Sequence, residues 1–488
     1  MLQRIQVQIS NFVLNVQESY AQRQQVAILV LALLLTVGAA ASGLLVSSSF
    51  SPIFVGLAAA GLLLLGVGLS RPWLVFYVAV LVIFIPDGIL PSTIQSYLNR
   101  GLTVLVFAVW AFDLFVKRKK LFLPLPSMTM VAFLAWAALS IAWAPSMGDG
   151  ITIFQRYILR FLLFLFLGVN LIDTRKKLNG LMNTMALIGF LLVIAAFATL
   201  AIEGYTPGTR FSIMGMNENS VGIMLLMSLM GVLWWASQPT KGNSPARKLI
   251  GVAYLLISVG LVAISGSRGS AISMVGTLIL LFSWKSTRYW GVVTLLVVLV
   301  ALAAAPVLFM TTFERFQAAG YSGDTTLGGR ESLWQTAWLV VKDHPLLGVG
   351  LGNGYLQMKY YYSDSSVQSY LMPIQVWNAD SISPHNPVLA IWMDVGAIGL
   401  AIYLGIILTA MYVFLKSYWR NRNSSLQLYY GFVIAVFIGY FLSWVKGGGM
   451  ESDHSFFMMI MFLIIPSILE KSEGIDTPPA GLPAESKP

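Results

Sequence analysis

The sequence contains no cysteine among its 488 residues, so neither disulfide bonds nor thiol chemistry can contribute to its fold or function. Charged residues are also scarce, at 10% of the chain, whereas soluble domains carry about a quarter. Only three histidines are present and the acidic residues do not cluster near them, which argues against a bound metal ion. Together these scarcities exclude an ordinary soluble enzyme and a disulfide-stapled domain.

Apolar residues are abundant instead, at 57% of the chain, with a mean hydropathy of +0.77. Many windows of at least 17 apolar residues are long enough to cross a hydrocarbon core of about 30 Å. The sequence therefore predicts an all-α polytopic membrane protein with about 12–14 transmembrane helices. The first apolar run lacks a clear cleavage site, so we expect a retained helix. The predicted spans lie near residues 26–46, 52–70, 73–89, 101–116, 127–144, 153–172, 179–202, 219–237, 249–265, 270–283, 289–310, 387–415, 427–445 and 454–470.

The net charge of +10 is distributed as short basic loops between spans, which indicates membrane topology and not nucleic-acid binding. If the spans alternate, these loops fall on one side, which the positive-inside rule makes cytoplasmic. The chain then divides into an interfacial segment 1–25, transmembrane helices 26–310, a large external loop 311–386, further helices 387–470 and a disordered cytoplasmic tail 471–488. This topology places Arg210, Arg268, Arg330 and all three histidines on the external side.

The polar loop is the part of the chain best suited to chemistry on a polar substrate. An amphipathic helix is predicted from Arg330, with an apolar stripe that we expect to pack. Arg330 itself lies where a helix start attracts anions. His344 is expected to bond a carbonyl at the end of this helix, with a catalytic base as the alternative. The glycines that follow do not form a dinucleotide loop, because no strand precedes them. The loop tyrosines and Trp377 either stack on sugars or pack as an aromatic belt.

Two arginines in short polar turns are candidate anion-binding residues. Arg268 lies in the turn Ser-Gly-Ser-Arg-Gly-Ser at 265–270, and Arg210 precedes Asn219 in another loop. An arginine near membrane depth is costly unless it is paired or functional, and backbone N–H groups beside a guanidinium suit a phosphate. Asn219 is a candidate helix cap. The alternatives are that Arg268 merely reaches the interface and that Arg210 is an ordinary loop residue.

Arg156 and Arg160 share one face of the sixth predicted span, because they are four residues apart. Two like charges repel there unless an anion or a carboxylate lies between them. The sequence leaves three partners open: a phosphate-bearing ligand, lipid phosphates, or an acidic residue such as Asp149.

His385 follows Pro384 at the point where the loop re-enters the membrane. An imidazole there can reach a bound hydroxyl, as a general base must. Asp394 follows on the same predicted helix and is expected either to orient neighbouring groups or to pair with another helix. His385 is therefore the preferred candidate for a base.

The order of these features resembles the O-antigen ligase and polymerase superfamily of bacterial envelope enzymes. The matching features, in chain order, are Arg210 with Asn219, Ser-Arg-Gly at 267–269, Arg330, Trp334, His344-Pro-Leu-Leu-Gly-Val-Gly, His385-Asn386 and Asp394. The resemblance covers roughly residues 200–400, and the preceding residues match only as generic spans. About fourteen spans exceed the dozen typical of the ligases.

This resemblance implies a membrane glycosyltransferase of the GT-C type with one large external loop, in the bacterial inner membrane. Such enzymes take a glycan from an undecaprenyl-diphosphate carrier on the periplasmic face, without a metal or another cofactor. Ligases attach it to a lipid A-core sugar, and polymerases attach it to another carrier-linked repeat. Attack opposite the leaving group would invert the anomeric centre.

The resemblance also implies roles for individual residues. Arg210 and Arg268 match the diphosphate-binding arginines, and His385 matches the proposed base. Asp394 stands where the family often has glutamate. The candidate catalytic residues are His385, Arg268 and Arg210. The candidate substrate-binding residues are Arg156, Arg160, Arg330, Asn219, Asn386 and Asp394.

Other functions remain open from the sequence. A ligase is favoured over a polymerase because the arginine and His-Asn motifs match more cleanly. A polysaccharide transporter or flippase would be expected to show internal repeats, and no clear repeat relates the two halves. A sensor or scaffold that binds through the external loop is the third alternative.

Overall fold

The computed structural model describes residues 52–86, 89–90, 92–117, 119–206, 208–238, 244–310, 313–314, 330–363, 383–424, 426–447 and 453–476. Every regular element within these ranges is helical, which confirms the predicted all-α class. The predicted N-terminal segment 1–25 and the span 26–46 lie outside the described residues, as do residues 311–312, 315–329 and 364–382 of the large loop and residues 477–488 of the tail.

Fifteen α-helices organise the described chain. They are α1 (Pro52–Ser70), α2 (Pro72–Ile83), α3 (Ser92–Lys117), α4 (Leu125–Ser140), α5 (Met147–Arg160), α6 (Arg175–Glu203), α7 (Glu218–Ser237), α8 (Ser244–Ile264), α9 (Arg268–Ser283), α10 (Arg288–Ala304), α11 (Arg330–Asp343), α12 (Gly354–Ser363), α13 (Pro387–Arg420), α14 (Gln427–Gly447) and α15 (Asp453–Asp476). A π-helical segment, Phe161–Leu167, and a last turn, Gly168–Leu171, continue α5.

Eight described helical segments are long and apolar enough to cross a membrane. Five shorter apolar helices accompany them: Ala59–Ser70, Pro72–Ile83, Arg268–Ser283, Arg288–Ala304 and His454–Glu470. These helices confirm a multi-pass membrane protein. The eight longer segments are Tyr97–Val116, Leu125–Trp143, Met147–Leu171, Arg175–Glu203, Glu218–Ser237, Pro245–Ile264, Pro387–Arg420 and Gln427–Trp444.

Several helix ends differ from the predicted spans, and prolines account for two of them. The predicted span 73–89 ends at Ile83, three residues before Pro86, and the predicted span 289–310 ends at Ala304, just before Ala305 and Pro306. A residue that precedes proline is disfavoured in helical conformation, and Ala305 has φ −142° and ψ 59°. The last helix instead continues to Asp476, past the predicted boundary at residue 470.

The chain forms two compact units, residues 1–80 with 97–121 and residues 81–96 with 122–488. In the first, the carboxylate of Asp113 is 2% exposed and lies 2.8 Å from the Lys119 ammonium. In the second, α7 is the most buried of the long apolar helices. Glycines allow close packing around it: a Cβ on Gly231 would lie 2.5 Å from the Ala186 nitrogen of α6. This tight core fixes the loops at the ends of α7, α8 and α9.

Candidate active site

Arg210 is held against the turn that carries Arg268. Its Nε donates to the Ser265 carbonyl at 3.2 Å, and the Phe211 N–H donates to the Ile264 carbonyl at 3.1 Å. Its guanidinium also contacts Glu218, with 3.2 Å between Nη1 and the carboxylate oxygen. The loop of Arg210 and the turn that carries Arg268, 58 positions apart in sequence, therefore belong to one polar cluster.

Asn219 joins this cluster through its side chain. Arg210 Nη2 donates to Asn219 Oδ1 at 3.1 Å, and Ser267 Oγ donates to the same oxygen at 3.1 Å. Asn219 is not the helix cap that the sequence predicted: α7 is capped by Asn217, whose Oδ1 accepts from the Asn219 N–H at 2.9 Å. With its backbone bonded by Asn217, the Asn219 amide is available to link the Arg210 loop to the Ser267 turn.

Arg268 is the first residue of α9 and is half-buried. Ser267 caps this helix and accepts from the Ser270 N–H at 3.3 Å. α7 lies unusually close, because a Cβ on Gly222 would come within 2.2 Å of the Ser270 Cβ. The start of α9, with its positive helix-dipole end, is thus fixed beside the cluster that holds Arg210.

Arg156 and Arg160 occupy the last turns of α5, immediately before the π-helical segment. Arg156 is exposed and Arg160 is half-buried. The carboxylate of Asp149, considered as their partner from the sequence, accepts the Tyr355 hydroxyl at 3.0 Å. π-Helical segments occur frequently at functional sites, which keeps this pair among the candidates.

A second polar centre forms around Asp394, in the first third of α13. One of its carboxylate oxygens accepts the Gly354 N–H at 2.7 Å and the other accepts the Gly352 N–H at 3.0 Å. Its backbone carbonyl accepts the Gly350 N–H at 2.9 Å. Asp394 therefore holds the glycine-rich loop at 348–354 against α13.

α13 is interrupted at Gly396, which has φ 70° and ψ −177°. The interruption lets the residues before α12 bond directly to the helix: the Ala397 N–H donates to the Pro345 carbonyl at 2.9 Å. A Cβ on Gly396 would lie 2.0 Å from the Leu346 carbonyl oxygen, so only glycine fits there. Trp136 of α4 donates to the freed Val395 carbonyl at 2.9 Å.

Replacement of Asp394 by asparagine is expected to loosen this loop. One N–H that faces a carboxylate oxygen would then face an amide NH₂, so at least one charge-assisted hydrogen bond is lost. We expect the free energy of unfolding to fall by about 1–3 kcal/mol, measured as a lower melting temperature of the purified protein. Asp343→Asn is the matched control, because this exposed carboxylate in the same region accepts the Tyr361 hydroxyl and does not bond the glycine-rich loop in the described structure. If Asp394→Asn and the wild type have the same melting temperature, Asp394 does not stabilise this loop.

Asn353 links the glycine-rich loop to the start of α5 and is fully buried. Its side chain accepts the Ser146 N–H at 2.7 Å and donates to the Ser146 carbonyl at 3.0 Å.

Burial, and then the hydrogen bond to Asp149, raise the pKa of Tyr355 above its ordinary value. The Tyr355 hydroxyl therefore stays protonated at neutral pH and remains a donor to Asp149.

His385 lies just before α13 in a strained backbone conformation. Its φ of 45° is uncommon for a residue other than glycine, and such strain is concentrated at functional sites. The side chain is exposed. Asn386 caps α13 by accepting the Val388 and Leu389 N–H groups at 3.0 and 3.2 Å. His385 thus lies in the sharp turn that leads from the loop into the capped start of α13.

The amphipathic helix predicted from Arg330 is present as α11, which begins at that residue. Ala337, Val340 and Val341 are buried, as expected for packing, whereas Trp338 of the predicted stripe is 43% exposed. The Trp334 indole N–H donates to the Pro384 carbonyl at 2.8 Å, which ties α11 to the residue before His385. The side chain of Arg330 and residues 370 and 377 lie outside the described residues.

His344 follows α11 and is exposed. Its backbone, not a side-chain contact, completes the helix end: the His344 N–H donates to the Val340 carbonyl at 3.1 Å.

Sequence reasoning did not identify Asn353, the cap Asn217 or the serines at 265, 267 and 270 as positioning residues. Only the Asn-Gly pair at 353–354 offered a signal, as a turn-forming dipeptide.

The fold and these two polar centres define a multi-pass helical membrane protein with arginines and a strained histidine at helix starts. Residues 253–404 match the family model described as O-antigen ligase. This match confirms the resemblance to the O-antigen ligase and polymerase superfamily, and it includes Arg268, Arg330, His385 and Asp394. Arg210 and Asn219 precede the matched residues, as do Arg156 and Arg160.

Two curated proteins are similar to parts of the chain. An uncharacterized protein of Haemophilus influenzae is 26% identical over 182 residues, which are 35% of this chain and 44% of that protein. The O-antigen ligase of Salmonella typhimurium is 33% identical over 104 residues, which are 20% of this chain and 24% of that protein. The matched regions thus span less than half the length of each relative.

Proposed function

We propose that this protein is a membrane glycosyltransferase that moves a glycan from an undecaprenyl-diphosphate carrier to an acceptor hydroxyl. The acceptor we favour is a lipid A-core sugar, as in an O-antigen ligase. The observation that carries this proposal is the hydrogen bond from Arg210 to Ser265, which holds Arg210 against the turn that carries Arg268. The match to the O-antigen ligase family supports the same reaction class.

The arginine cluster suits a diphosphate leaving group. Negative charge develops on the diphosphate as the glycosidic bond breaks, and fixed guanidinium groups stabilise that charge. Arg210 keeps its bonds to Ser265 and Asn219 while its contact with Glu218, which is partly exposed, exchanges for a phosphate oxygen. Arg268 acts from the first turn of α9, where the helix dipole also favours an anion.

His385 is proposed as the general base. Its imidazole takes the proton of the acceptor hydroxyl as the oxygen attacks the anomeric carbon, and the bond to the diphosphate breaks. Attack from the face opposite the diphosphate inverts the anomeric centre. This mechanism places charge stabilisation on the arginines and proton transfer on His385, and it uses no metal ion.

The remaining candidates receive supporting roles in this proposal. Asn219, Asn386 and Asp394 have their side chains bonded to neighbouring groups of the protein, so we assign them to positioning. Arg156 and Arg160 are proposed to contact the carrier lipid's phosphates or those of the surrounding membrane. Arg330, at the start of α11, is proposed to contact the glycan or diphosphate.

The reaction is proposed to take place on the periplasmic face of the bacterial inner membrane. The positive-inside pattern supports this orientation, because it assigns the arginine cluster and His385 to the side opposite the basic loops. The loop 311–386 would then cover the site and select the acceptor. A polymerase of the same superfamily, with a carrier-linked acceptor, is the second candidate, since its chemistry requires the same groups.

A reconstituted assay tests the proposal. The purified protein would be supplied with a carrier-linked glycan and, in separate reactions, with a lipid A-core or a second carrier-linked glycan. Extension of the lipid A-core supports a ligase, and extension of the carrier-linked glycan supports a polymerase. Passage of the glycan across a vesicle membrane without a new glycosidic bond would instead show a transporter and reject the proposal.

A further inference from the structure

A cavity of about 360 Å³ lies at the C-terminal end of α13, at the other end of this helix from His385. α13 runs through 34 residues, and the 24 residues after Gly396 alone span about 36 Å. A hydrocarbon core is about 30 Å thick. The cavity therefore lies at the membrane interface on the side that the basic loops predict to be cytoplasmic.

Two cations line this cavity from one face of α13. Lys416 and Arg420 are one helical turn apart, so their charges repel unless an anion lies between them. The Lys416 ammonium lies 5.4 Å from the centre of the Tyr412 ring, which restrains it. Glu470 of α15 also lines the cavity. These three groups carry a net charge of +1, which complements a singly charged anion.

Apolar side chains also line the cavity, in a segment that is fixed in place. Leu123, just before α4, and Leu125, its first residue, are both 52% exposed. The neighbouring Phe122 is held by Asn170 through two hydrogen bonds, at 2.9 Å to the backbone N–H and 3.1 Å to the carbonyl. A built pocket lined by both cations and leucines suits an amphiphile better than a free anion.

We propose that this cavity binds an anionic phospholipid of the inner leaflet. Its phosphate lies between Lys416 and Arg420, and its acyl chains run along Leu123 and Leu125. Basic pockets between transmembrane helices on the cytoplasmic side are suited to lipid head groups. The inference does not depend on the proposed transferase activity, because the site lies at the opposite end of α13.

The test measures lipid binding to the full-length protein in detergent by native mass spectrometry. Phosphatidylglycerol, phosphatidylcholine and inorganic phosphate are the probes. We expect phosphatidylglycerol to bind most tightly. Lys416→Gln combined with Arg420→Gln should weaken this binding by about twentyfold or more, since each basic residue near an anionic lipid contributes about fivefold. Arg422→Gln is the matched control, because this exposed arginine next to the site does not line the cavity.

Glu470→Gln is expected to change the lipid affinity in the opposite direction. It therefore distinguishes an effect on the site from an effect of misfolding. Removal of a negative charge from the cavity should tighten phosphatidylglycerol binding severalfold, which a damaged protein would not show. Three results would overturn the proposal: wild-type affinity in the double variant, equal binding of phosphatidylcholine, or full competition by inorganic phosphate at comparable concentration. The last would identify a site for free anions and not for a lipid.

Discussion

Arg268→Ala is expected to reduce the rate of glycan transfer at saturating donor by about a hundredfold or more. Loss of one fixed donor to developing negative charge typically has an effect of this size. Arg268 begins α9 behind the Ser267 cap, and that helix is packed tightly against α7 at Gly222. The backbone that carries Arg268 is therefore held in place, as a preorganised donor requires. The measurement is the initial rate with a carrier-linked glycan and a lipid A-core acceptor.

Two variants control this experiment. Arg268→Lys keeps the charge but not the planar pair of donors, so we expect partial activity between wild type and alanine. Arg288→Ala removes another arginine that begins a helix, α10, and that donates to the Phe282 carbonyl near the C-terminal end of α9. This replacement should leave the rate of glycan transfer within about twofold of the wild-type rate. Such a change corresponds to less than about 1 kcal/mol in the activation free energy. If Arg268→Ala transfers glycan as fast as wild type, the diphosphate role is wrong.

His385→Asn is expected to reduce the rate by about 10²–10⁴-fold, the usual contribution of a positioned general base. Asparagine is chosen because it tolerates a positive φ better than most residues, and His385 has φ 45°. The melting temperature should therefore stay close to that of the wild type. A loss of rate without a loss of stability would identify the imidazole, and not the turn, as the group that matters.

His344→Asn is the matched control, because both histidines are exposed residues of the same segment between α10 and α13. His344 follows α11, and we expect its replacement to change the rate by less than about threefold, far below the contribution of a general base. Equal losses of rate in His344→Asn and His385→Asn would show that this region affects glycan transfer through its structure and not through the His385 imidazole. An unchanged rate in His385→Asn would exclude it as the base.

The sequence predicted the helical class because apolar runs and scarce charges leave few other folds for the chain. It also predicted that Arg268, Arg210 and His385 lie beside helix starts, since polar turns interrupt the apolar runs there. It misplaced the cap of α7 by two residues, at Asn219 in place of Asn217. Both residues are asparagines in one short loop, and only the backbone path decides which side chain faces the first turn.

The role of Asp394 could not be read from the sequence alone. Its spacing from His385 suggested a side chain on the same helix, but Gly396 interrupts that helix and brings the glycine-rich loop onto the carboxylate. The buried clamp between Asn353 and Ser146 joins residues 207 positions apart. Contacts of this range depend on how helices pack, and neither periodicity nor composition records them.

By itself, the sequence determined a multi-pass helical membrane protein, the positions of its polar turns and the resemblance that the family match confirms. These properties follow from local composition, because a bilayer accepts an apolar helix wherever it is long enough. Only the tertiary structure decided that Arg210 bonds to the turn of Arg268 and that Asp394 holds the loop at 348–354. Those contacts require small residues at helix crossings and a glycine with positive φ, whose effect appears only when distant segments pack together.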